Sequence, residues 1–107
     1  MSNEKPSHNG IIEKLTPIEK KILLECGKMN ISIKKNVREE TIKKKMPDAY
    51  LKDFNKSIKN LIAMGLLVVY RPHNYGLSKE GRLISKRIKE SYQRDFYSSL
   101  KILMIVE

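Results

Sequence analysis

The stretch from Asp48 to Gly81 decides the fold, and its sequence is DAYLKDFNKSIKNLIAMGLLVVYRPHNYGLSKEG. Its first half spaces apolar residues at three- and four-residue steps, as along one face of a helix. These residues are Leu51, Phe54, Ile58, Leu61 and Ile62. The spacing predicts one helix over 48–64, capped by Asp48 after the breaker Pro47 and ended by Gly65 in a left-handed conformation.

The second half of the stretch has the composition of a β-hairpin. Leu66 to Arg71 is a β-branched and aromatic run of strand length, and Tyr75 to Leu77 is a second short strand. Pro72 to Asn74 supplies turn residues between them. We expect Tyr70 and Tyr75 to face each other across the hairpin as an aromatic pair. The predicted order is therefore helix, strand, turn, strand.

A second helix is predicted upstream, where Thr16-Pro17-Ile18-Glu19 forms a capping box with proline at the first helical position. The helix begins at Pro17, and Gly27 is the expected end. Its apolar side is formed by Ile18, Ile22, Leu23 and Cys26. We expect Cys26 to be a small buried hydrophobic residue, with a reactive sensor thiol as the alternative.

The segment between these two helices carries weaker signals. Ile31 to Ile33 suits a short third strand. Asn36 with Glu39 three residues later resembles another capping box, which predicts a helix from Asn36 to Met46 ended by Pro47. With the helix over 48–64 it would form a helix-turn-helix pair.

The carboxy-terminal part predicts a long helix that begins after Ser78 as its cap. About 25 residues at 1.5 Å each span roughly 38 Å, which exceeds the diameter of one small domain. The far half would therefore expose a wide apolar face in a monomer, and we expect it to be a dimer interface. The predicted interface residues are Tyr92, Phe96, Tyr97, Leu100 and Leu103.

Composition indicates a single domain with a polyanionic partner. The chain has 107 residues, 40% of them hydrophobic, and a net charge of +10. We divide it into a flexible tail (1–12), a helix-turn-helix domain (13–82) and the carboxy-terminal helix (83–107). A basic surface attracts nucleic acid, although abundant lysines also arise from genome composition or simply solvate a surface. Many of them fall in or beside the elements described above: Lys34, Lys35, Arg38, Lys43, Lys44, Lys45, Lys52, Lys56, Lys59, Arg71 and Lys79.

Other function classes have little support in the sequence. One cysteine and two separated histidines offer no metal-ligand spacing, so we expect no metal and no cofactor. We find no phosphate-cradling glycine loop and no nucleophile elbow, and we do not expect an enzyme. The polar amino terminus has no apolar signal region, which predicts a cytoplasmic protein without a membrane span.

These residues carry a resemblance to a known superfamily. Leu61 to Leu67 followed by Tyr75-Gly-Leu-Ser-Lys-Glu-Gly-Arg82 resembles the ending of prokaryotic and archaeal winged helix-turn-helix regulators, including the MarR-like and PadR-like groups. Leu15 to Leu23 is similar to their usual first helix. The turn at Pro72 to Asn74 is shorter than the wings of many members. The implied fold is mainly α with a small antiparallel β-hairpin (α+β), a winged helix-turn-helix followed by a long carboxy-terminal helix.

The resemblance implies sequence-specific binding of double-stranded DNA by a homodimeric transcriptional regulator. The helix over 48–64 would enter the major groove, and the hairpin over 66–78 would act as the wing. For the helix it nominates Tyr50, Lys52, Asn55, Lys56 and Lys59, with Asn55 as the specificity residue because asparagine pairs bidentately with adenine. For the wing and the DNA backbone it nominates Arg71, His73, Asn74 and Lys79.

Two alternatives remain open at the level of sequence. A winged helix also serves as a protein-protein interaction module in larger transcription or replication assemblies, because a fold alone does not decide function. An RNA-binding role rests on charge alone, since no aromatic residues are arranged to stack single-stranded bases. For each residue nominated on the helix over 48–64, the alternative is an ordinary solvent-exposed helix position without a role in binding.

Overall fold

The structure, a computed structural model, describes the backbone of residues 8–105 and the side chains of residues 10–96 and 98. The described chain is mainly helical with a small antiparallel sheet, which confirms the predicted α+β class. The elements in chain order are α1 (His8–Lys14), α2 (Pro17–Lys28), β1 (Val37–Arg38), α3 (Glu39–Lys43), α4 (Asp48–Leu51), α5 (Phe54–Ala63), β2 (Leu67–Arg71), β3 (Asn74–Leu77) and α6 (Lys79–Ile105).

The three strands form one antiparallel sheet in the order β1-β3-β2. The β2-β3 hairpin confirms the predicted strands. The predicted Tyr70–Tyr75 pair is wrong, because Tyr75 lies opposite Val69 and the register shifts between Val69 and Arg71. This irregularity leaves Tyr70 unpaired and 60% exposed, whereas Tyr75 is buried.

One hydrophobic core joins the helices to the inner face of the sheet. Phe54 is fully buried at the start of α5, and Ile84 and Ile88 of α6 pack into the same core. Cys26 is also fully buried, so the expected burial of this residue is confirmed. Burial, together with the charge of Glu25, raises the pKa of the Cys26 thiol to about 12.

The start of α2 follows the predicted capping box. The Glu19 amide donates to Thr16 Oγ1 over 3.2 Å, and the Thr16 amide donates to Glu19 Oε1 over 3.0 Å. The predicted end at Gly27 is wrong, because α2 continues to Lys28 and the left-handed residue is Asn30, with φ 57°. Gly27 instead marks a close approach of α6, since a Cβ at this position would overlap Ser85 Oγ.

The segment between α2 and α4 differs most from its prediction. The third strand is Val37–Arg38 rather than 31–33, and the helix expected over 36–46 shrinks to Glu39–Lys43. Asn36 does not cap it: the Asn74 side-chain amide donates to Asn36 Oδ1 over 3.0 Å. Pairing with β3 thus takes Val37 and Arg38 out of the predicted helix.

The helix predicted over 48–64 is divided into α4 and α5. Asp53 breaks it with φ −104° and ψ 12°, and Asp48 lies inside α4 without capping it. The apolar face is not continuous across this break, because Leu51 is 42% exposed whereas Phe54 is fully buried. The end of α5 agrees with the prediction, since Gly65 has φ 75°.

The junction between β3 and α6 explains the motif Ser78-Lys-Glu-Gly81. The Gly81 amide donates to Ser78 Oγ over 3.0 Å, which confirms Ser78 as the cap of α6. The same hydroxyl donates to the Gly65 carbonyl over 2.7 Å. A Cβ on Gly81 would overlap the Leu66 carbonyl oxygen, so α6 begins in direct contact with the chain that leaves α5.

The two ends of the described chain complete the fold. Helix α1 overlaps the flexible tail predicted over 1–12, and Ile11 and Ile12 pack against the core. Residues 1–7 of that predicted tail lie outside the described residues. The 27 residues of α6 confirm the predicted long helix, and Ile88 is the last buried side chain among those described in it. None of the helices within residues 8–105 has a stretch long and apolar enough to cross a membrane.

Candidate nucleic-acid interface

The polar face of α4 and α5 carries most of the residues nominated for the major groove. Lys52 lies in the break between the two helices, and Asn55, Lys56 and Lys59 follow on α5; all four side chains are exposed. The opposite face of α5 packs into the core through Phe54 and other buried residues. The amphipathic spacing seen in the sequence therefore orients this segment as expected.

Tyr50 is placed differently from the exposed lysines. Its side chain is half-buried and packs against the hydrophobic core. Asn60 of α5 donates from its side-chain amide to Glu19 Oε2 over 3.1 Å. The hydrogen bond anchors α5 to α2 and satisfies a carboxylate on a residue that is only 3% exposed. Tyr50 and Asn60 thus help to position the helix.

The hairpin turn presents Arg71 and His73 to solvent. Arg71 is exposed, and its guanidinium lies over the Tyr70 ring at 5.6 Å from the centroid. His73 has φ 62°, the left-handed conformation that closes the turn. Asn74 is half-buried, and its side-chain amide donates to Asn36, the residue before the neighbouring strand β1. Of the three nominated turn residues, Asn74 is thus engaged within the fold.

Glu39 at the start of α3 ties the turn to the body of the domain. Its carboxylate accepts a hydrogen bond from the Tyr75 hydroxyl over 2.9 Å and lies 3.6 Å from Lys43 Nζ. His73 Nδ1 lies 3.3 Å from the same carboxylate, a contact that becomes an ion pair when the imidazole is protonated. The Glu39 amide also donates a hydrogen bond to the His73 carbonyl oxygen over 2.8 Å. The local sequence pattern predicts only a capping role for Glu39 and contains no sign of these contacts.

Tyr75→Phe tests this anchoring contact. Burial and the hydrogen bond to Glu39 raise the pKa of Tyr75 to about 12 from its ordinary 10. A raised pKa means that the folded state holds the phenol proton more tightly, so this stabilisation is present below about pH 10 and is lost as the pH rises towards 12. We expect Tyr75→Phe to lower the free energy of unfolding by about 1–2 kcal/mol at neutral pH and to flatten its alkaline decline.

Chemical denaturation of the wild type and the variant at neutral and alkaline pH measures both effects. Tyr70→Phe is the matched control, because this tyrosine lies in the same hairpin but is 60% exposed. Equal effects of the two substitutions would contradict the anchoring role of Tyr75.

A groove joins α5 to the hairpin and has a volume of about 470 Å³. Asn55 and Lys59 line it from the helix, while Pro72 and His73 line it from the turn. Its inner surface is apolar where Val69 lies opposite the helix. The structure therefore brings Asn55 and Lys59 of the predicted helix contacts and His73 of the predicted turn contacts onto one surface, which Glu39 also lines.

Lys79 does not belong to this surface. It follows β3 at the base of the hairpin, where Leu67 pairs with Leu77, whereas the turn lies at the other end of the strands. It lines a different cavity, between α2 and α6. The expected contact of Lys79 with the DNA backbone from the start of α6 stays a prediction.

The apolar face of α6 continues beyond the core. Tyr92 is 48% exposed and Phe96 is 62% exposed. The side chains of Tyr97, Leu100 and Leu103, the other predicted interface residues, lie outside the described ones. Dimerisation through this helix stays a prediction.

A metal centre has no candidate ligands in the part of the chain that the structure describes, where no three His, Cys, Asp or Glu residues come together. Comparisons of the chain with protein-family models, with curated proteins and with solved structures gave no match.

Proposed function

We propose that this protein is a winged-helix regulator that binds double-stranded DNA in the cytoplasm as a homodimer. The observation that carries the proposal is the single surface formed by Asn55 and Lys59 of α5 with Pro72 and His73 of the hairpin turn. A helix of this kind fits the major groove, which is wide enough to admit an α-helix, while the adjoining hairpin follows the backbone. The net charge of +10 supplies the long-range attraction.

The proposed DNA contacts are of two kinds, to base edges and to phosphates. Asn55 is exposed next to the groove, and its amide can donate to and accept from one adenine edge. Lys56 and Lys59 are exposed cations that suit phosphates, as does Arg71 at the end of β2. Tyr50 and Asn74, which are held within the fold, would act by positioning α5 and the turn.

The dimer would form through the exposed apolar face of α6 that includes Tyr92 and Phe96. Two-fold symmetry would then place two α5 helices about one DNA turn apart, roughly 34 Å, on a near-palindromic site.

Removing the two α5 lysines tests the proposed contact surface. We expect Lys56→Gln/Lys59→Gln to weaken DNA binding and to lower the slope of log affinity against log salt by about 2 per protomer, because each lost phosphate contact removes about 0.9. Fluorescence anisotropy with labelled duplex DNA over a salt series measures this slope.

The control variant is Arg87→Gln/Arg94→Gln, which removes the same charge from exposed positions of α6. Equal losses in the two variants would mean that binding reflects net charge alone, and the α5 surface would then have no special role. Asn55→Ala adds a second readout, since it should relax base preference while leaving the salt slope nearly unchanged.

A protein-interaction module is the second candidate, and one observation favours it. Strand β2 is an edge of the sheet and exposes Val68, Val69 and Tyr70 by 40%, 50% and 60%. Exposed apolar edge strands readily pair with another chain. This function predicts that DNA affinity is weak and indifferent to sequence.

A further inference from the structure

A second basic site lies away from α5, in a cavity between the last turn of α2 and the first three turns of α6. The cavity has a volume of about 440 Å³, a size typical of pockets for small molecules. Five of the lining residues in the described part of the chain are basic, and none is acidic. The basic residues are Lys28 of α2 and Lys79, Arg82, Lys86 and Lys89 of α6.

The basic residues of α6 are arranged as a stripe. The stripe consists of Lys79, Arg82, Lys86 and Lys89, which are spaced by three, four and three residues. This spacing places them within roughly a quarter of the helix circumference. Lys28 lies on the α2 side, where it also contacts Glu25 Oε2 at 3.3 Å. Leu24 and Leu83 contribute an apolar part to the lining.

This arrangement is unfavourable for the helix without a counter-anion. Like charges three and four residues apart destabilise a helix. Cations in the first turn also interact unfavourably with the positive end of the helix dipole, and Lys79 and Arg82 lie there together with Glu80, whose negative charge suits this end. An anion bound in the cavity would reduce both unfavourable effects, which would couple ligand binding to the stability of α6.

The walls of the cavity are held together by a close helix contact. Ser85 Oγ donates to the Leu23 carbonyl over 2.7 Å, across the α2–α6 interface. Gly27 lets the helices approach, since a Cβ there would overlap Ser85 Oγ. Both residues line the cavity, which is therefore preformed rather than assembled around a ligand.

We propose that this cavity binds a small, multiply charged phosphate compound of the size of a nucleotide. The planar guanidinium group of Arg82 can donate two parallel hydrogen bonds to one phosphate group. The lysine side chains supply positive charges for further phosphate groups. The site is separate from the α5 surface and does not depend on the proposed DNA-binding function. Soluble di- and triphosphates share this chemistry with the nucleic-acid backbone, and the test distinguishes the two sources.

Isothermal titration calorimetry of the full chain with inorganic pyrophosphate and with ATP, without added divalent metal, tests the proposal. We expect saturable binding of at least one of them with one site per chain. Arg82→Gln/Lys86→Gln should weaken it at least about tenfold, because the double variant removes two charge-assisted contacts to phosphate. The charge-matched control Arg87→Gln/Arg94→Gln, whose residues lie outside the lining of this cavity, should change the affinity less than about twofold.

Two outcomes would overturn the proposal. The first is the absence of saturable binding for both phosphate compounds; a loss of affinity for duplex DNA in Arg82→Gln/Lys86→Gln would then assign the stripe to the nucleic-acid backbone. The second is an equal loss in the two double variants, which would mean diffuse attraction by net charge. Failure of the wild type to bind DNA would leave this proposal intact.

Discussion

Replacing Gly81 by alanine is expected to lower the free energy of unfolding by about 3 kcal/mol, the upper part of the range for overpacking substitutions. Alanine has the higher helix propensity, which on its own would stabilise α6 by about 1 kcal/mol. The steric effect outweighs it, because the new Cβ would overlap the Leu66 carbonyl oxygen and lie 2.8 Å from Leu77 Cδ1. Backbone has little freedom to move here, since Ser78 is hydrogen-bonded to both Gly65 and Leu66.

Gly27→Ala is the matched comparison, because it is the same substitution in a helix. Its Cβ would overlap only the rotatable hydroxyl of Ser85 and approach the Ser85 Cβ at 3.1 Å. We expect a smaller loss, at most about 1 kcal/mol, because the displaced hydrogen bond to Leu23 is partly offset by the higher helix propensity of alanine. Urea denaturation followed by circular dichroism measures both variants. A Gly81→Ala protein as stable as the wild type would contradict the described junction of β3 and α6.

Phe54→Ala is expected to have the largest effect of all, a loss of about 3–5 kcal/mol. Phe54 is fully buried at the start of α5, and Lys43 Nζ lies 5.5 Å from its ring centroid. The substitution removes packing between α5 and the rest of the core and also removes this cation-π contact. A domain of this size has a total stability of about 5–15 kcal/mol, so much of the variant would unfold at modest denaturant concentrations.

Leu51→Ala provides the control for Phe54→Ala. Leu51 has the same place in the sequence pattern but is 42% exposed. Its replacement should cost about 1 kcal/mol. Similar losses for the two variants would mean that α4 and α5 form the continuous apolar face that the sequence spacing predicts, contrary to the structure.

Local signals explain why part of the fold could be predicted. The Thr16 capping box, the left-handed Gly65 and the Ser78 cap each depend on residues at most three positions apart. Such contacts are encoded in short motifs, and the structure reproduces all three. The β2-β3 hairpin belongs to the same class, because a short turn joins its strands.

Contacts between residues far apart in the sequence explain where the fold differs from its prediction. Asn36 bonds to Asn74, and Glu39 bonds to Tyr75, over 38 and 36 residues of sequence. In the local sequence, Asn36 and Glu39 form the pattern of a capping box. Pairing of β1 with β3 overrides this local preference for a helix. The register irregularity at Tyr70 is likewise a property of the folded sheet.

The candidate interface was predictable in its composition but only partly in its geometry. Amphipathic spacing correctly placed Asn55, Lys56 and Lys59 on the solvent side of α5. Spacing alone did not reveal that Tyr50 packs against the core, or that Lys79 lies in a separate basic cavity. The carboxylate of Glu39 beside His73 was also unforeseen, since it depends on how the turn folds back onto α3.

Selection from a pool of random duplex DNA at two salt concentrations, followed by sequencing of the retained molecules, would show whether α5 and the hairpin recognise a DNA sequence. We expect an enriched motif with two half-sites about one helical turn apart, and retention that falls steeply at the higher salt concentration. Retention without an enriched motif, or no retention at the lower salt concentration, would contradict sequence-specific DNA binding by α5 and the hairpin.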